Sequence, residues 1–308
     1  MIVLKDGERS PASRGAVVAI GNFDGVHRGH QALIERAVKQ ARSFTKPAGV
    51  IVFEPHPREF FVPAEPHFRL TPLAEKLRLF EAMKLDFVRV LTFDRALSSM
   101  SAHDFIARIL VDELVISGAV VGYDFFFGHK RSGTPQTLID AGQRCGFSVE
   151  IVAPVAELGE VFSSTAVRLK LAEGDVAGAA HALGRPWRVA GTVVGGAKRG
   201  TGMGYPTANV PMPRGTALAH GIFAVRVLIE GDWHDGAAYL GTRPTFDDGM
   251  PVLEVFLFDF DGDLYGHTIA VEFFAFIRGD RKFADMAALI AQMDKDVAEA
   301  RAVLAAAP

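Results

Sequence analysis

The sequence predicts a parallel α/β domain followed by a small antiparallel β-barrel and a closing helix. Three observations carry that reading. Short apolar runs alternate with amphipathic stretches up to Leu183. Helical periodicity is then missing from Arg188 to Phe276, where β-rich segments are divided by turn residues. It returns from Phe283 to the end. A chain of 308 residues also suits two cores better than one, because single cores stop growing near roughly 250–300 residues. The boundary is placed at Leu183-Gly184, giving domains 1–184 and 185–308.

Each element has its own signal. Ala16–Ile20 is an apolar run suited to a buried strand. From Gly29 a helix sets Leu33, Ile34, Ala37, Val38 and Ala41 on one face. Gly49–Phe53 is a second strand, closed by Pro55 and Pro57. Helix Leu73–Met83, strand Phe87–Leu91, helix Ala102–Glu113, strand Ala119–Val121, helix Gln136–Cys145 and strand Ser148–Val152 follow. Such alternation implies a parallel sheet covered on both faces. Leu169–Leu183 reads as one or two short helices broken at Gly174. Strands are then expected at Arg188–Val194, Ile222–Ile229, Leu253–Phe258 and Thr268–Phe276, separated by turns such as Asp247-Asp248-Gly249 and Asp261-Gly262-Asp263. The last helix presents Met286, Leu289, Ile290, Met293 and Val297 on one side.

Composition narrows the function. Hydrophobic residues make up 49% and charged residues 22%, an ordinary globular balance. Before Gly184 there are 21 basic and 21 acidic residues, and after it 12 and 15, which gives the net charge of −3. Neither half is a basic module of the kind that grips a nucleic-acid backbone. Cys145 is the one cysteine, so no intramolecular disulfide can form, as suits a reducing cytoplasm. The first 15 residues carry five charges and no apolar core, unlike a signal peptide, and no apolar run approaches the ~20 residues of a membrane helix. A cytoplasmic protein without membrane partners is expected, and self-association is left open.

Directly after the first strand comes Gly21-Asn22-Phe23-Asp24-Gly25-Val26-His27-Arg28-Gly29-His30, then a helix. A Gly-containing turn between a strand and a helix N-terminus favours anions, through free N–H groups and the helix dipole. It is neither a P-loop nor a GxGxxG fingerprint. His27 and His30, three apart at a helix start, should lie on one side. Paired imidazoles beside a phosphate can hydrogen-bond its oxygens as charge builds, which suggests nucleotidyl transfer at an α-phosphate.

The second half holds Gly191-Thr192-Val193-Val194-Gly195-Gly196-Ala197-Lys198-Arg199-Gly200-Thr201-Gly202-Met203-Gly204, then Tyr205-Pro206-Thr207-Ala208-Asn209. A glycine-rich basic loop lets backbone approach phosphate without Cβ clashes. Thr207 and Asn209 face one side of an extended segment, and their neutral oxygens suit Mg²⁺ bridged to nucleotide phosphates.

GNFDGVHRGH closely resembles the adenylyltransferase module of bacterial bifunctional riboflavin kinase/FAD synthetases. The likeness extends through Phe53-Glu54-Pro55-His56-Pro57, Leu70-Thr71-Pro72 with Lys76, Gly122–Gly128 and Ser163-Ser164-Thr165-Ala166-Val167-Arg168. It implies a nucleotidyltransferase Rossmann-like fold in which Gly21, Phe23, Asp24, Gly25, His27, Gly29 and His30 line the ATP phosphates. Ser163, Ser164, Thr165 and Arg168 would form a second phosphate-binding element, and Asp124 would contact the flavin. Phe60 and Phe61 can pack beside a flat ring at the end of the second strand. The second half resembles the riboflavin kinase barrel, through Pro206-Thr207-Ala208-Asn209, Gly241–Phe246, Leu253-Glu254, Asp263–Gly266 and Ile277-Arg278. That likeness assigns Thr207 and Asn209 to Mg²⁺–ATP, with Gly191, Lys198, Gly204 and Pro206 around the nucleotide. Glu254 would be the general base toward the ribityl hydroxyl. His27, His30, Arg168 and Glu254 are thus the expected catalytic set. The chain departs from the kinase pattern at Gly195, Thr201, Met203, Tyr239 and Phe256, where His, Arg, Leu, Asn and His are frequent.

The implied chemistry is phosphorylation of riboflavin to FMN and adenylylation of FMN to FAD, with ATP and Mg²⁺. Three alternatives stay open at this stage. The barrel could have lost turnover, leaving an FMN adenylyltransferase. The chain could bind flavin without turnover. The first domain could transfer a nucleotidyl group to another alcohol phosphate.

Overall fold

A computed structural model describes residues 1–157, 159–195, 205–242 and 250–307. Chain contacts divide it into two compact units, Met1–Ser163 and Ser164–Pro308.

The first unit is built on β1 (Ile2–Leu4), β2 (Val17–Ile20), β3 (Ala48–Glu54), β4 (Phe87–Thr92), β5 (Gly118–Gly122) and β6 (Ser148–Val152). All pair in parallel, in the order β1-β4-β3-β2-β5-β6. Helices α1 (Arg28–Ser43), α2 (Pro57–Phe61), α3 (Leu73–Ala82), α4 (Arg95–Ser99), α5 (Ala102–Asp104) and α6 (Pro135–Cys145) connect the strands. The strand runs are buried on both faces, with one apolar cluster on each side of the sheet. That explains why they are continuously hydrophobic instead of alternating. A two-strand ribbon, β7 (Ala156–Glu157) and β8 (Glu160–Val161), ends the unit. Two features differ from the sequence reading. β1 was not expected; it is a short edge strand whose neighbour Arg89, almost wholly buried, donates to the Lys5 carbonyl and pairs with Glu113. Beyond Asp104 the expected α-helix is wound as a π-helix over Phe105–Glu113.

Strand order places the site. β2 leads through α1 to β3 on one side, whereas β5 leads through α6 to β6 on the other. The order therefore reverses between the neighbours β2 and β5, and it is at the carboxyl ends of such a switch point that parallel sheets bind ligands.

The second unit begins with α7 (Ser164–Ala172) and α8 (Val176–Leu183). Gly174 between them has positive φ, and a Cβ there would press on the Phe276 ring. The break at this glycine was legible. The antiparallel sheet comprises β9 (Trp187–Thr192), β10 (Ala208–Pro211), β11 (Gly221–Ile229), β12 (Asp232–Thr242), β13 (Pro251–Leu257) and β14 (Thr268–Arg278). Its order is β10-β13-β12-β11-β14-β9. The sheet curls until its edges meet at one bridge, with Val194 N–H donating to the Asn209 carbonyl at 2.9 Å. The expected barrel is thus present. Helix α9 (Met286–Ala306) packs on β11, β12 and β14. Among the described residues no helix is long and apolar enough to cross a membrane.

Candidate active sites

In the first unit the turn after β2 meets α1 at His27. This residue is the helix N-cap, and its Nδ1 accepts the His30 N–H at 3.4 Å. Accepting there fixes the proton of neutral His27 on Nε2, leaving a donor. The two imidazoles stack, with centroids 3.6 Å apart and planes 25° from parallel. His30 is held well below the usual histidine range by burial, by His27 and by Lys76. Its Nδ1 is buried and makes no hydrogen bond among the described residues. Phe23 meets the His30 ring edge-on at 5.2 Å. The expectation that both imidazoles share one side matches this geometry.

The turn is held from below. Phe23 and Val26 sit at φ 48° and 43°, in the left-handed region that non-glycine residues avoid, with Gly25 at 84° between them. Asp24, expected to line phosphate, turns its buried carboxylate to the Leu70–Thr71 backbone, accepting from Thr71 N–H at 3.0 Å and Leu70 N–H at 3.3 Å. An acidic group is better used there than against a triphosphate, which it would repel. Gly25 N–H donates to Thr71 Oγ1 at 2.8 Å. Lys76 is buried and donates to the Asn22 carbonyl at 3.1 Å; burial lowers its pKa while Asp24 opposes that shift. Gly29 has a steric role, since a Cβ would lie 3.1 Å from His27 Nδ1 and 3.2 Å from the Phe162 carbonyl. Gly21 faces only ordinary contact with Phe23.

Asp124 and Phe60 follow the carboxyl ends of β5 and β3. Asp124 is exposed in the turn after β5. At the end of β3, Phe60 meets Phe61 and Phe93 edge-on at 5.3 and 5.5 Å, and Phe61 stays 63% exposed. Ser163 closes this unit, while Ser164, Thr165 and Arg168 open α7 of the other. Arg168 Nη1 donates to the Ser164 carbonyl at 3.2 Å.

In the barrel, Glu254 and Thr207 open on one cavity of about 630 Å³. Its other walls are mostly apolar and aromatic, including Ile222, Phe256, Phe283, Leu289 and Met293. Thr207 also borders a second, smaller hollow of about 260 Å³ with Pro206, Asn209, Asp263 and Tyr265. Asn209 pairs across strands with Glu254, so the two Cβ atoms leave the sheet on the same face. Gly191 lies in β9, where a Cβ would strike Val210 at 2.5 Å; its need for glycine is packing between strands. Lys198, Gly204 and the rest of the glycine-rich loop from Gly196, with Arg243–Gly249, lie outside the described residues.

The family model described as FAD synthetase matches residues 9–166, and that described as riboflavin kinase matches residues 183–304. A protein of Pseudomonas fluorescens named bifunctional riboflavin kinase/FMN adenylyltransferase is 44% identical over 96% of this chain and 95% of its own length. The chain belongs to the bifunctional riboflavin kinase/FMN adenylyltransferase family. Members bearing the same name from Escherichia coli K12 and Bacillus subtilis are 41% and 34% identical, covering 93% and 92% of this chain and 92% and 91% of their own. A solved structure described as a macrolide-efflux protein from Streptococcus pneumoniae superposes with a TM-score of 0.85 at 30% identity, over 98% of this chain and 99% of that one.

The family resemblance named Thr71 and Lys76 without a task for either, and the structure supplies one. Lys76 was detectable as a cation three residues after Leu73 and four before Phe80, on the apolar stripe of α3. The barrel cavity also includes groups to which the sequence assigned no role. Arg278 forks onto buried Asp296, with Nε to Oδ1 at 2.9 Å and Nη2 to Oδ2 at 2.7 Å, tying α9 to β14. Tyr205 donates to Asp294, and burial together with that carboxylate pushes its phenol up to about 12. The pairing of Arg278 with Asp296, 18 positions apart, has no local signal.

Proposed function

We propose that this family member makes FMN and then FAD, with the two steps at the two sites described. In the barrel, Glu254 takes the proton of the ribityl terminal hydroxyl. The freed oxygen attacks the γ-phosphorus of ATP, and ADP leaves. A carboxylate within reach of the hydroxyl is what phosphoryl transfer to an alcohol requires. Thr207 and Asn209 offer neutral oxygens beside the smaller hollow that Asp263 also lines, a donor set that fits Mg²⁺ shared with phosphate. They would hold that ion, which supplies neutralisation of charge on the transferred group. Pro206 shapes the same wall, and Lys198 and Gly204 are assigned to the nucleotide from sequence.

In the first unit an oxygen of the FMN phosphate attacks the α-phosphorus of a second ATP, and pyrophosphate leaves. His27 donates from Nε2, and neutral His30 adds a hydrogen bond as charge grows on the α-phosphate oxygens. Gly21, Phe23, Gly25 and Gly29 shape the turn, and Asp24 holds it from behind. Ser163, Ser164, Thr165 and Arg168 are assigned to the departing pyrophosphate from the sequence resemblance alone, Arg168 with a planar fork suited to phosphate. Asp124 and Phe60 receive the flavin.

The observation that carries the kinase reading is Glu254 and Thr207 on one cavity of a size and polarity that suit a flat ring with a polar tail. Purified protein with riboflavin, ATP and Mg²⁺ should yield both FMN and FAD, and formation of neither sinks the proposal. His30→Ala should stop FAD while sparing FMN. Glu254→Gln should stop FMN while sparing FAD from supplied FMN.

A further inference from the structure

We infer that Arg69 is a positioning residue of the adenylylating site, its guanidinium locking α2, which carries Phe60 and Phe61, to the end of β3. This rests on the reading of those rings as the flavin end of that site. Helix α2 has five residues, and none of them is buried. Its N-cap is local: His56 Nδ1 accepts the Arg58 N–H at 3.2 Å. A helix so short and so exposed draws little stability from its own turns or from apolar burial. Phe93 gives its rings an apolar footing, with centroids 5.5 Å from Phe60 and 5.6 Å from Phe61. The polar link to the sheet is Arg69. Its Nε and Nη2 donate to the two carboxylate oxygens of Glu59 on α2, and its Nη1 donates to Oε1 of Glu54, the last residue of β3. A planar fork on both oxygens fixes the orientation of Glu59 as well as its position. The Arg69 side chain is 20% exposed and both carboxylates 27%, so water competes little for the contact. The hydrogen bonds from Arg69 also hold the Glu59 carboxyl below the usual carboxylate range, which keeps the pair charged.

Arg69 is itself firmly placed. Phe68 and Leu70 on either side of it are buried. The N–H groups of Leu70 and Thr71 donate to Asp24, and Thr71 Oγ1 accepts from Gly25 N–H. Residues 69–71 therefore grip α2 with a side chain and the His27 turn with backbone groups. One buried stretch sets the flavin helix relative to the turn that meets the α-phosphate. Glu54 completes the anchor; its Oε2 is buried and makes no hydrogen bond among the described residues, so the guanidinium is its support. Cutting the Glu59 arm leaves Arg69 on Glu54 and leaves the His27 turn on Asp24. Only α2 is released, and FMN then has to order it on binding. The consequence is weaker binding of FMN with ATP binding unchanged.

Steady-state kinetics of the full chain with supplied FMN test this, using Glu59→Gln, Arg69→Lys and the double variant. Glu59→Gln keeps the shape and removes the charge, whereas Arg69→Lys keeps a cation beside Glu54 and loses the fork. Each should raise KM for FMN about tenfold, the ratio expected for a charge-assisted hydrogen bond, with KM for ATP and kcat within about twofold. The double variant should be no worse than the larger single effect, since both changes remove the same fork. FMN formation from riboflavin should be the same in Glu59→Gln as in the wild type. Arg69→Lys also touches Glu54, so Glu59→Gln decides the matter should that variant fail to fold. A Glu59→Gln enzyme with unaltered KM for FMN overturns the inference, as does an equal rise in KM for ATP, or a double variant whose effect is the product of the singles. A wild-type chain that makes FMN from riboflavin but leaves supplied FMN unadenylylated overturns the reading of the site, and the inference with it.

Discussion

His30 is a base kept uncharged by its surroundings. Burial, the stacked His27 ring and the Lys76 cation all act in the same direction on it. An unfolded imidazole takes its proton near pH 6.5, while the folded one refuses it until well below. The unfolded chain therefore binds more protons in that window, so stability is full above pH 6.5 and falls as the pH drops below it. Calorimetric melts at pH 7.5 and 5.5 should show a steeper loss for the wild type than for His30→Gln, and equal slopes would refute the assignment. Gly29 bears on the neighbouring ring. Its substitution by alanine sets a methyl 3.1 Å from His27 Nδ1, with the Phe162 carbonyl behind at 3.2 Å. That distance is tighter than ordinary contact, so the imidazole or the helix start has to shift. Because a misplacement of about 1 Å can cost on the order of 100-fold in rate, Gly29→Ala should cut FAD formation at least tenfold and leave FMN formation intact. A product assay separates the two activities.

Among elements, legibility followed burial. Strands β2 to β5 are largely apolar because both faces of the sheet are covered, so their runs are easy to read. β12 was missed: Asp232, His234 and Asp235 make its first half exposed and polar, and its second half is short-chained at Gly236, Ala237 and Ala238. Neither half carries strong β-propensity; tertiary pairing with β11 and β13 decides it. The π-helical winding of Phe105–Glu113 has the same apolar composition as an α-helix and leaves no mark in residue types. In the candidate sites, motif residues next to glycine turns could be read locally. Their supports could not, because Thr71 meets Gly25 across 46 positions and Asp296 meets Arg278 across 18. The second of these supports α9. Removing the Asp296 carboxylate leaves a partly buried guanidinium without its partner, and breaking such a pair costs about 3 kcal/mol. Asp296→Ala should lower the melting temperature of the barrel transition by several degrees and weaken riboflavin binding, since α9 supplies Leu289 and Met293 to the cavity. Thermal unfolding followed by circular dichroism, with a riboflavin titration beside it, checks both.

At the scale of the whole molecule, one chain performs two reactions that share an intermediate and differ in what they must recognise. Riboflavin is neutral, and the cavity proposed for it is mainly apolar, with Glu254 in its wall beside charged groups that include Asp280, Arg281 and Lys282. FMN carries a phosphate, a charge that Glu254 repels, while Arg281 and Lys282 line the same cavity. In the proposed sequence FMN leaves that cavity, and the turn at His27 and His30, at a helix N-terminus, is the place where its anionic phosphate is used. Release into solution makes the two activities separable between molecules. Equal amounts of His30→Ala, which should make FMN alone, and Glu254→Gln, which should use it alone, are expected to convert riboflavin to FAD when mixed. FAD should appear after a lag that shortens as total protein rises, since FMN has to accumulate before the second molecule can capture it. Chromatography of timed samples reads both flavins. FMN that builds up in the mixture while no FAD follows, although each variant is active on its own substrate, would show that the adenylylating site accepts the intermediate only from its own chain.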